Sequence, residues 1–173
     1  MSESKASEIA MNDPKSTSPP GRERIFLVVV DETEEMRVAL RYAALRASHT
    51  GGRVALLCVI EPPGAQQFAA IEQRMLEERR EAAEELLTKL TAEVKDTCGS
   101  VPVVYIREGR RRDEFFALID EEPSISVVVL ASGAGQEGPG PLITALIGRT
   151  GQLRVPITIV PGSLSNEQIA ALA

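Results

Sequence analysis

The sequence predicts a three-layer α/β/α domain around an open sheet of five mainly parallel strands. Short runs of Val, Ile and Leu alternate with longer segments whose apolar residues recur at helical spacing. The short runs are apolar at nearly every position, as expected for strands that helices cover on both faces. Such alternation builds right-handed βαβ units and a parallel sheet. Apolar residues make up 43% of the chain and aromatic residues 3%, so we expect a core of aliphatic side chains.

The first two strands and the helix between them have clear boundaries in the sequence. A continuous apolar run ends at Asp31, and Thr33 can cap a helix whose first turn is acidic. Gly51 and Gly52 end this helix, and the second strand follows. The predicted strands are 25–30, 53–60, 102–107, 125–131 and 156–160.

The later helices follow from apolar stripes and from turn residues. A long amphipathic helix is predicted over 66–96, with Leu87, Leu90 and Val94 on its apolar side. A shorter helix starts at an acidic turn, and Pro123 lies in the link to the fourth strand. The predicted later helices are 66–96, 113–121 and 142–147, with a final helical turn at 166–172.

The composition divides the chain into three parts. Residues 1–23 are polar and rich in Ser and Pro, which predicts a disordered N-terminal arm. The folded domain spans 24–162, and 163–173 form a polar C-terminal tail. The N-terminal segment contains no apolar stretch typical of a secretory signal, and the run 25–30 is too short to cross a membrane. We therefore expect a cytoplasmic protein without membrane contact.

The charge and the rare residue types argue against several functions. A net charge of −6 and the scarcity of aromatic residues argue against nucleic-acid binding. Two cysteines do not form a disulfide framework, and a single histidine argues against a Cys/His metal site. His49 follows a helical pattern and indicates a surface residue rather than a catalytic base. No catalytic residue is assigned.

A glycine-rich loop, residues 132–140, follows the fourth strand. Glycines there let backbone N–H groups approach a phosphate, and a following helix adds a favourable dipole. Gly133, Gly135 and Gly138 match G-x-G-x-x-G, but a dinucleotide fingerprint belongs after the first strand of its fold. No Walker A sequence is present. A turn that binds nothing stays an alternative.

Two further polar features are open to interpretation. Asp31 ends a central strand, where ligands bind in open α/β sheets, but it could instead help to begin the following helix. The run of arginines at 110–112 could bind an anion, although a solvated loop before an acidic helix is favoured.

Together these features resemble the universal stress protein family over residues 24–162. The resemblance rests on residues 26–31 with Thr33, 52–60, 127–130 and 155–160. Family members that bind ATP have the spacing G-x2-G-x9-G followed by Ser or Thr. Gly135, Gly138 and Gly148 match this spacing, whereas Arg149 stands at the hydroxyl position and Thr150 comes one place later.

The resemblance implies strand order 3-2-1-4-5, an adenine nucleotide alpha hydrolase-like fold and bound ATP with Mg²⁺. The adenine would lie against Asp31 and Val59. The ribose and phosphates would be surrounded by the three motif glycines and by Arg149 and Thr150. Glu137 would repel a triphosphate, and Arg149 would either attract it or block the pocket.

The resemblance also implies a homodimer formed by antiparallel pairing of the last strands. An apolar edge strand running from Ile157 to Val160 gives a physical reason, because an uncovered edge favours pairing. Two functions stay open: a nucleotide-binding stress protein that signals through its dimer or its protein partners, or an interaction protein of the same fold without the phosphate site. Slow nucleotide hydrolysis is a third hypothesis.

Overall fold

The computed structural model describes residues 23–62, 69–133 and 138–173. Strands and helices alternate along these residues, as predicted. The strands are β1 (Ile25–Val30), β2 (Arg53–Ile60), β3 (Val103–Glu108), β4 (Ile125–Ser132) and β5 (Ile157–Pro161). The helices are α1 (Glu34–Thr50), α2 (Ala69–Cys98), α3 (Arg111–Glu121), α4 (Pro141–Ile147) and α5 (Asn166–Leu172), with a 3₁₀ turn at Thr150–Gln152. The predicted arm, apart from Glu23, and the loop residues Gly135 and Glu137 lie outside the described residues.

The sheet has the order β3-β2-β1-β4-β5, and every pair of neighbouring strands is parallel. This confirms the predicted fold class and strand order. β1 lies at the centre, with Val28 opposite Leu56 of β2 and Val129 of β4. Strands β2 and β3 therefore lie on one side of β1, and strands β4 and β5 lie on the other. The carboxyl ends of the neighbouring parallel strands β1 and β4 lie next to each other.

Two aliphatic cores form, one on each face of the sheet. Alternate residues of β1 point to opposite faces, so Val28 packs with α1 and α2 while Leu27 packs with α3 and α4. Both side chains are completely buried. In the C-terminal segment, α5 lies on α1 and buries Ile169.

The start of α1 confirms its predicted cap, whereas α3 starts earlier than predicted. Thr33 caps α1, because its Oγ1 accepts the N–H of Met36 at 3.2 Å. α3 begins at Arg111 rather than at residue 113, because Oε1 of Glu61 accepts the Arg111 N–H at 3.0 Å. These residues are 50 positions apart, so no local pattern predicts this cap.

β1, β2 and α5 have the predicted bounds, and the remaining boundaries in the described part of the chain differ by one or two residues. Residues 66–68 of the predicted second helix lie outside the described residues. β3 and β5 each lie one residue further along the chain than predicted, and α2 continues to Cys98. β3 and β5 form the two edges of the sheet. None of the helices in the described part of the chain is both long and apolar enough to cross a membrane.

Candidate functional site

Two adjoining cavities open at the carboxyl ends of the central strands. The larger has a volume of about 780 Å³ and lies between β1, β4 and the loop after β4. The smaller has a volume of about 480 Å³ and lies between β1, β2 and α2. Asp31, Thr33 and Arg111 line both cavities. The two spaces therefore meet at these residues and form one bipartite cleft, at the point where the strand order reverses.

Asp31 is held in a defined orientation by the start of α1. Its Oδ1 accepts the backbone N–H of Thr33 at 2.9 Å and also the Thr33 hydroxyl. Its Oδ2 faces Nη1 of Arg111 at 4.0 Å. Asp31 thus helps to begin the helix, as one interpretation of the sequence expected. Its second oxygen remains directed toward the cleft, where it can accept a hydrogen bond from a ligand.

Arg111 brings a positive charge to the centre of the cleft. It is the first residue of α3, and its side chain is 36% exposed. Its Nε is buried and has no hydrogen-bond partner among the described residues. The sequence interpretation favoured a solvated loop for this segment, whereas the structure places Arg111 in a helix that borders both cavities.

The smaller cavity has an apolar floor and a charged rim. Cys58 and Val59, near the end of β2, form part of the floor. Burial raises the pKa of the Cys58 thiol, and the nearby charge of Arg111 lowers it by a smaller amount. At the rim, Nη1 of Arg79 donates to the backbone carbonyl of Glu61 and attaches α2 to the end of β2.

The larger cavity contains the described glycines of the predicted phosphate loop. Gly133 and Gly138 both line it, and a Cβ built on Gly133 would lie 3.3 Å from the carbonyl oxygen of Gly138. The two ends of the loop therefore approach each other above the sheet. Gly138 has a φ of 84°, a conformation that favours glycine. Glu35 also lines this cavity.

The structure brings together some of the predicted site residues and not others. Asp31 and Gly138 line the larger cavity, and Val59 lines the smaller one. Gly148, Arg149 and Thr150 line neither cavity. They follow the C-terminal end of α4, and the guanidinium of Arg149 lies 5.3 Å from the centre of the Phe116 ring.

The sequence interpretation left Arg111 out of the site. One signal was available, because a run of three arginines follows β3 after Gly109, and parallel strands end at the same edge of a sheet. Nothing in the sequence indicated which of the three would face the cleft. That choice depends on the distant carboxylate of Glu61, which fixes the first turn of α3.

Fold and cleft define this chain as a three-layer α/β protein with an open cleft at the switch point of its sheet. The model of the universal stress protein family matches residues 23–152, and the chain belongs to that family. This confirms the resemblance that the sequence suggested. No curated protein sequence matches the chain significantly.

Solved structures of universal stress proteins share the fold. The chain is similar to the universal stress protein UspA from Lactobacillus plantarum, with a TM-score of 0.70, 15% identity and coverage of 81% of this chain and 99% of that one. It is also similar to a universal stress protein from Archaeoglobus fulgidus in complex with dAMP (TM-score 0.54, 17% identity, coverage 79% and 96%). A third similar structure is a family protein from Arabidopsis thaliana with AMP bound (TM-score 0.53, 11% identity, coverage 80% and 91%). At these identities the likeness shows the fold alone.

Proposed function

We propose that the cleft binds an adenine nucleotide. In this proposal the base lies over Val59 in the smaller cavity, the ribose hydroxyls donate to Asp31, and the phosphates extend past Gly138 in the larger cavity. One observation carries the proposal: Asp31 and the described glycines of the loop after β4 line a single cavity, which joins the cavity of Val59. The volumes, about 780 and 480 Å³, suit a nucleotide-sized ligand.

The chemistry of the lining supports this class of ligand. The Oδ2 atom of Asp31 can accept a ribose hydroxyl, and glycines without side chains let a phosphate approach the backbone. Arg111 supplies a cation between the two cavities. The relatives from Archaeoglobus fulgidus and Arabidopsis thaliana, described with dAMP and AMP, support the choice of an adenine nucleotide. Binding of ATP with Mg²⁺, implied by the resemblance, stays a prediction.

Isothermal titration calorimetry of the full chain with AMP and with ATP plus Mg²⁺ tests the proposal. We expect binding at millimolar nucleotide or below, and a loss of about 10-fold or more in Asp31→Ala, because a charged acceptor is removed. Glu34→Gln is the matched control, since Glu34 is exposed in the first turn of α1 and lines neither cavity. No heat with either nucleotide at millimolar concentration contradicts the proposal.

We further propose a homodimer formed through β5, as the resemblance implies. β5 is an edge strand and Ile159 is 43% exposed on it, while Ile157 is partly buried and Val160 is buried. An uncovered edge with apolar side chains favours pairing with a second copy. In sedimentation velocity we expect Ile159→Lys to shift the protein toward monomer. Ile71→Lys is the control, because Ile71 is similarly exposed on α2, at 50%. A monomeric parent protein would refute this proposal.

A second candidate is a family protein that acts through protein contacts alone. The position of Arg149 over Phe116 favours it, because the segment Gly148–Thr150 then contributes nothing to a phosphate site in the cleft. Mass spectrometry of small molecules released by heat from the purified protein distinguishes the two. Release of stoichiometric adenine nucleotide supports binding, and its absence together with silent calorimetry supports the alternative.

In either case we propose a cytoplasmic stress-response protein that signals by binding rather than by turnover. The single histidine, His49, lies in α1 with its Nδ1 3.0 Å from a backbone oxygen of Ala173, and it lines neither cavity. A phosphate-release assay tests this point. Any release that persists unchanged in Asp31→Ala is a contaminant, whereas release abolished by that substitution would show genuine turnover in the cleft.

A further inference from the structure

We propose that Arg111 is the specificity-determining residue of the cleft: its guanidinium binds the first phosphate of the nucleotide and makes the site select a monophosphate over both the nucleoside and the triphosphate. This inference rests on the proposed function and names the phosphate class of its ligand.

The position of Arg111 matches the place of a first phosphate. The residue lines both cavities and lies beside Asp31, the proposed acceptor for the ribose. The first phosphate of a nucleotide is joined to the ribose through one carbon and one oxygen, so it must lie close to the ribose-binding residue. In this cleft that location is the junction of the two cavities, which Arg111 borders.

The guanidinium is available to a phosphate because its present contacts are weak. Its distance to Asp31 is 4.0 Å, and both side chains are about one-third exposed (36% and 29%). Such pairs contribute little to stability. The buried Nε has no hydrogen-bond partner among the described residues, and an unsatisfied buried donor is unfavourable. A ligand oxygen that accepted a hydrogen bond from Nε would satisfy this donor. A phosphate can accept from Nε and a terminal nitrogen together, in a bidentate geometry.

The backbone that carries Arg111 is fixed, so only the side chain needs to move. The N–H of Arg111 is already bonded to Oε1 of Glu61 at 3.0 Å and is not available to a ligand. Two residues earlier, the N–H of Gly109 donates to the carbonyl of Ile60 at 3.1 Å. Gly109 has a φ of 148°, which a residue with a side chain adopts only with strain. The backbone of the turn between β3 and α3 is therefore held in one conformation, and this fixes the Cα position from which the Arg111 side chain extends.

The charges of the larger cavity favour a short phosphate chain. Among the described residues that line it, the ionisable side chains are Asp31, Glu35 and Arg111, two carboxylates and one guanidinium. At neutral pH a monophosphate carries about two negative charges, and Arg111 offsets one of them. Each further phosphate adds negative charge in a partly enclosed space where these residues offer no second cation, and repulsion there is poorly screened. We therefore expect affinity to fall from AMP to ATP when Mg²⁺ is absent.

Calorimetric titration of the full chain with adenosine, AMP and Mg²⁺-free ATP tests the inference. We expect the parent protein to bind AMP about 10- to 100-fold more tightly than adenosine, the effect of one charge-assisted pair. In Arg111→Gln this ratio should fall below about 3-fold, mainly through weaker AMP binding. Arg111→Lys keeps the charge without the planar fork and should retain part of the ratio.

Arg112→Gln is the matched control. Arg112 is the adjacent arginine, pairs with Asp113 at 3.3 Å, and lines neither cavity. The Arg112→Gln substitution removes the same charge from the same helix turn but outside the cleft. The ratio of AMP affinity to adenosine affinity should therefore stay unchanged. Thermal unfolding of each variant shows that it is folded, which we expect because the Glu61 bond uses only the backbone of Arg111.

The outcomes separate this inference from the proposed function. If the parent protein binds AMP and Arg111→Gln keeps the full ratio, the role of Arg111 is wrong and the nucleotide site stands. If the parent binds Mg²⁺-free ATP as tightly as AMP, the selection for a monophosphate is wrong. If it binds none of the three compounds, the proposed function fails, and this inference fails with it.

Discussion

The two ends of α4 have different relations to the cleft. Before its N-terminal end, Gly138 lines the larger cavity with a φ of 84°. After its C-terminal end, Gly148 has a φ of −69°, typical of a helix, and Arg149 lies over Phe116. Both glycines belong to the spacing that resembles the ATP-binding motif of the family. A helix of seven residues is about 10 Å long, so correct spacing along the chain does not bring the two ends together.

The contrast teaches which sequence features define a site in space. Asp31 and Gly138 are far apart in sequence, yet adjacent parallel strands bring them to one edge. Gly138 and Gly148 are close in sequence but are separated by a rigid element. We therefore expect substitution of Gly138 to weaken both folding and ligand binding, and substitution of Gly148 to weaken neither.

The largest expected effect is a loss of stability on substitution of Gly162, which lies beside Ser132 and Glu35. In Gly162→Ala the new Cβ would lie 2.5 Å from the carbonyl oxygen of Ser132 and 2.4 Å from Cγ of Glu35, which lines the larger cavity. The Glu35 side chain can move, but the carbonyl is held by the Gly162 N–H at 3.0 Å. We expect a loss of about 3 kcal/mol in the free energy of unfolding, measured by urea titration.

Gly151→Ala is the control for this substitution, because no atom in the described part of the chain lies within 4 Å of the Cβ that it adds. It should change the free energy of unfolding by less than about 0.5 kcal/mol. Equal stability of the two variants would show that the segment after β5 does not pack against the cleft as described.

A smaller loss is expected in Gly138→Ala, through backbone strain alone. No atom of the described residues lies within 4 Å of the added Cβ, but the φ of 84° disfavours a side chain by about 1 to 2 kcal/mol. We expect this loss in urea titration, with nucleotide affinity falling as well, because Gly138 lines the larger cavity. Gly99→Ala has a similar φ, 77°, at the end of α2. This variant should lose comparable stability and no nucleotide affinity. Equal loss of affinity in both variants would contradict a specific role of Gly138 in the cleft.

Gly148→Ala should raise the free energy of unfolding rather than lower it. Its φ is that of a helix, and the nearest atom to the added Cβ is the carbonyl oxygen of Ala145 at 3.8 Å, an ordinary contact. Restricting the unfolded chain should then stabilise the protein by about 0.4 to 1 kcal/mol. Nucleotide affinity, measured by calorimetry, should stay within about 2-fold. A 10-fold loss of affinity would show that Gly148 does reach the ligand.

The smallest expected effect is on the thiol of Cys58, and it tests whether the charge of Arg111 lies near that thiol. Burial raises the pKa of this thiol, and the charge of Arg111 partly opposes the rise. Arg111→Gln should therefore raise the pKa further. Because the thiolate is the reactive form, alkylation at pH 8 should be slower in this variant, in a Cys98→Ser background. Arg112→Gln should alkylate at the unchanged rate, and faster alkylation after removal of Arg111 would contradict its position.

The sequence predicted the sheet and one side of the cleft because these depend on local patterns and on general topology, whereas the strand order was implied by the resemblance to the universal stress protein family. Val28 lies in a continuous apolar run, as expected of a strand that helices cover on both faces, and Asp31 ends that run. Arg111 could not be selected from its neighbours, because its position depends on a bond to Glu61 across 50 residues. The place of Gly148 depends on the direction of α4, and motif spacing contains no information about that direction.

A crystal structure of the full chain with AMP tests the central claim most directly, namely that the nucleotide occupies the cleft between the carboxyl ends of β1, β2 and β4. We predict a ribose hydroxyl within hydrogen-bond distance of Asp31 and a phosphate beside Arg111, on the side of Gly138. A nucleotide whose phosphate lies against Gly148 and Arg149, with Asp31 and Arg111 still facing each other, would contradict it.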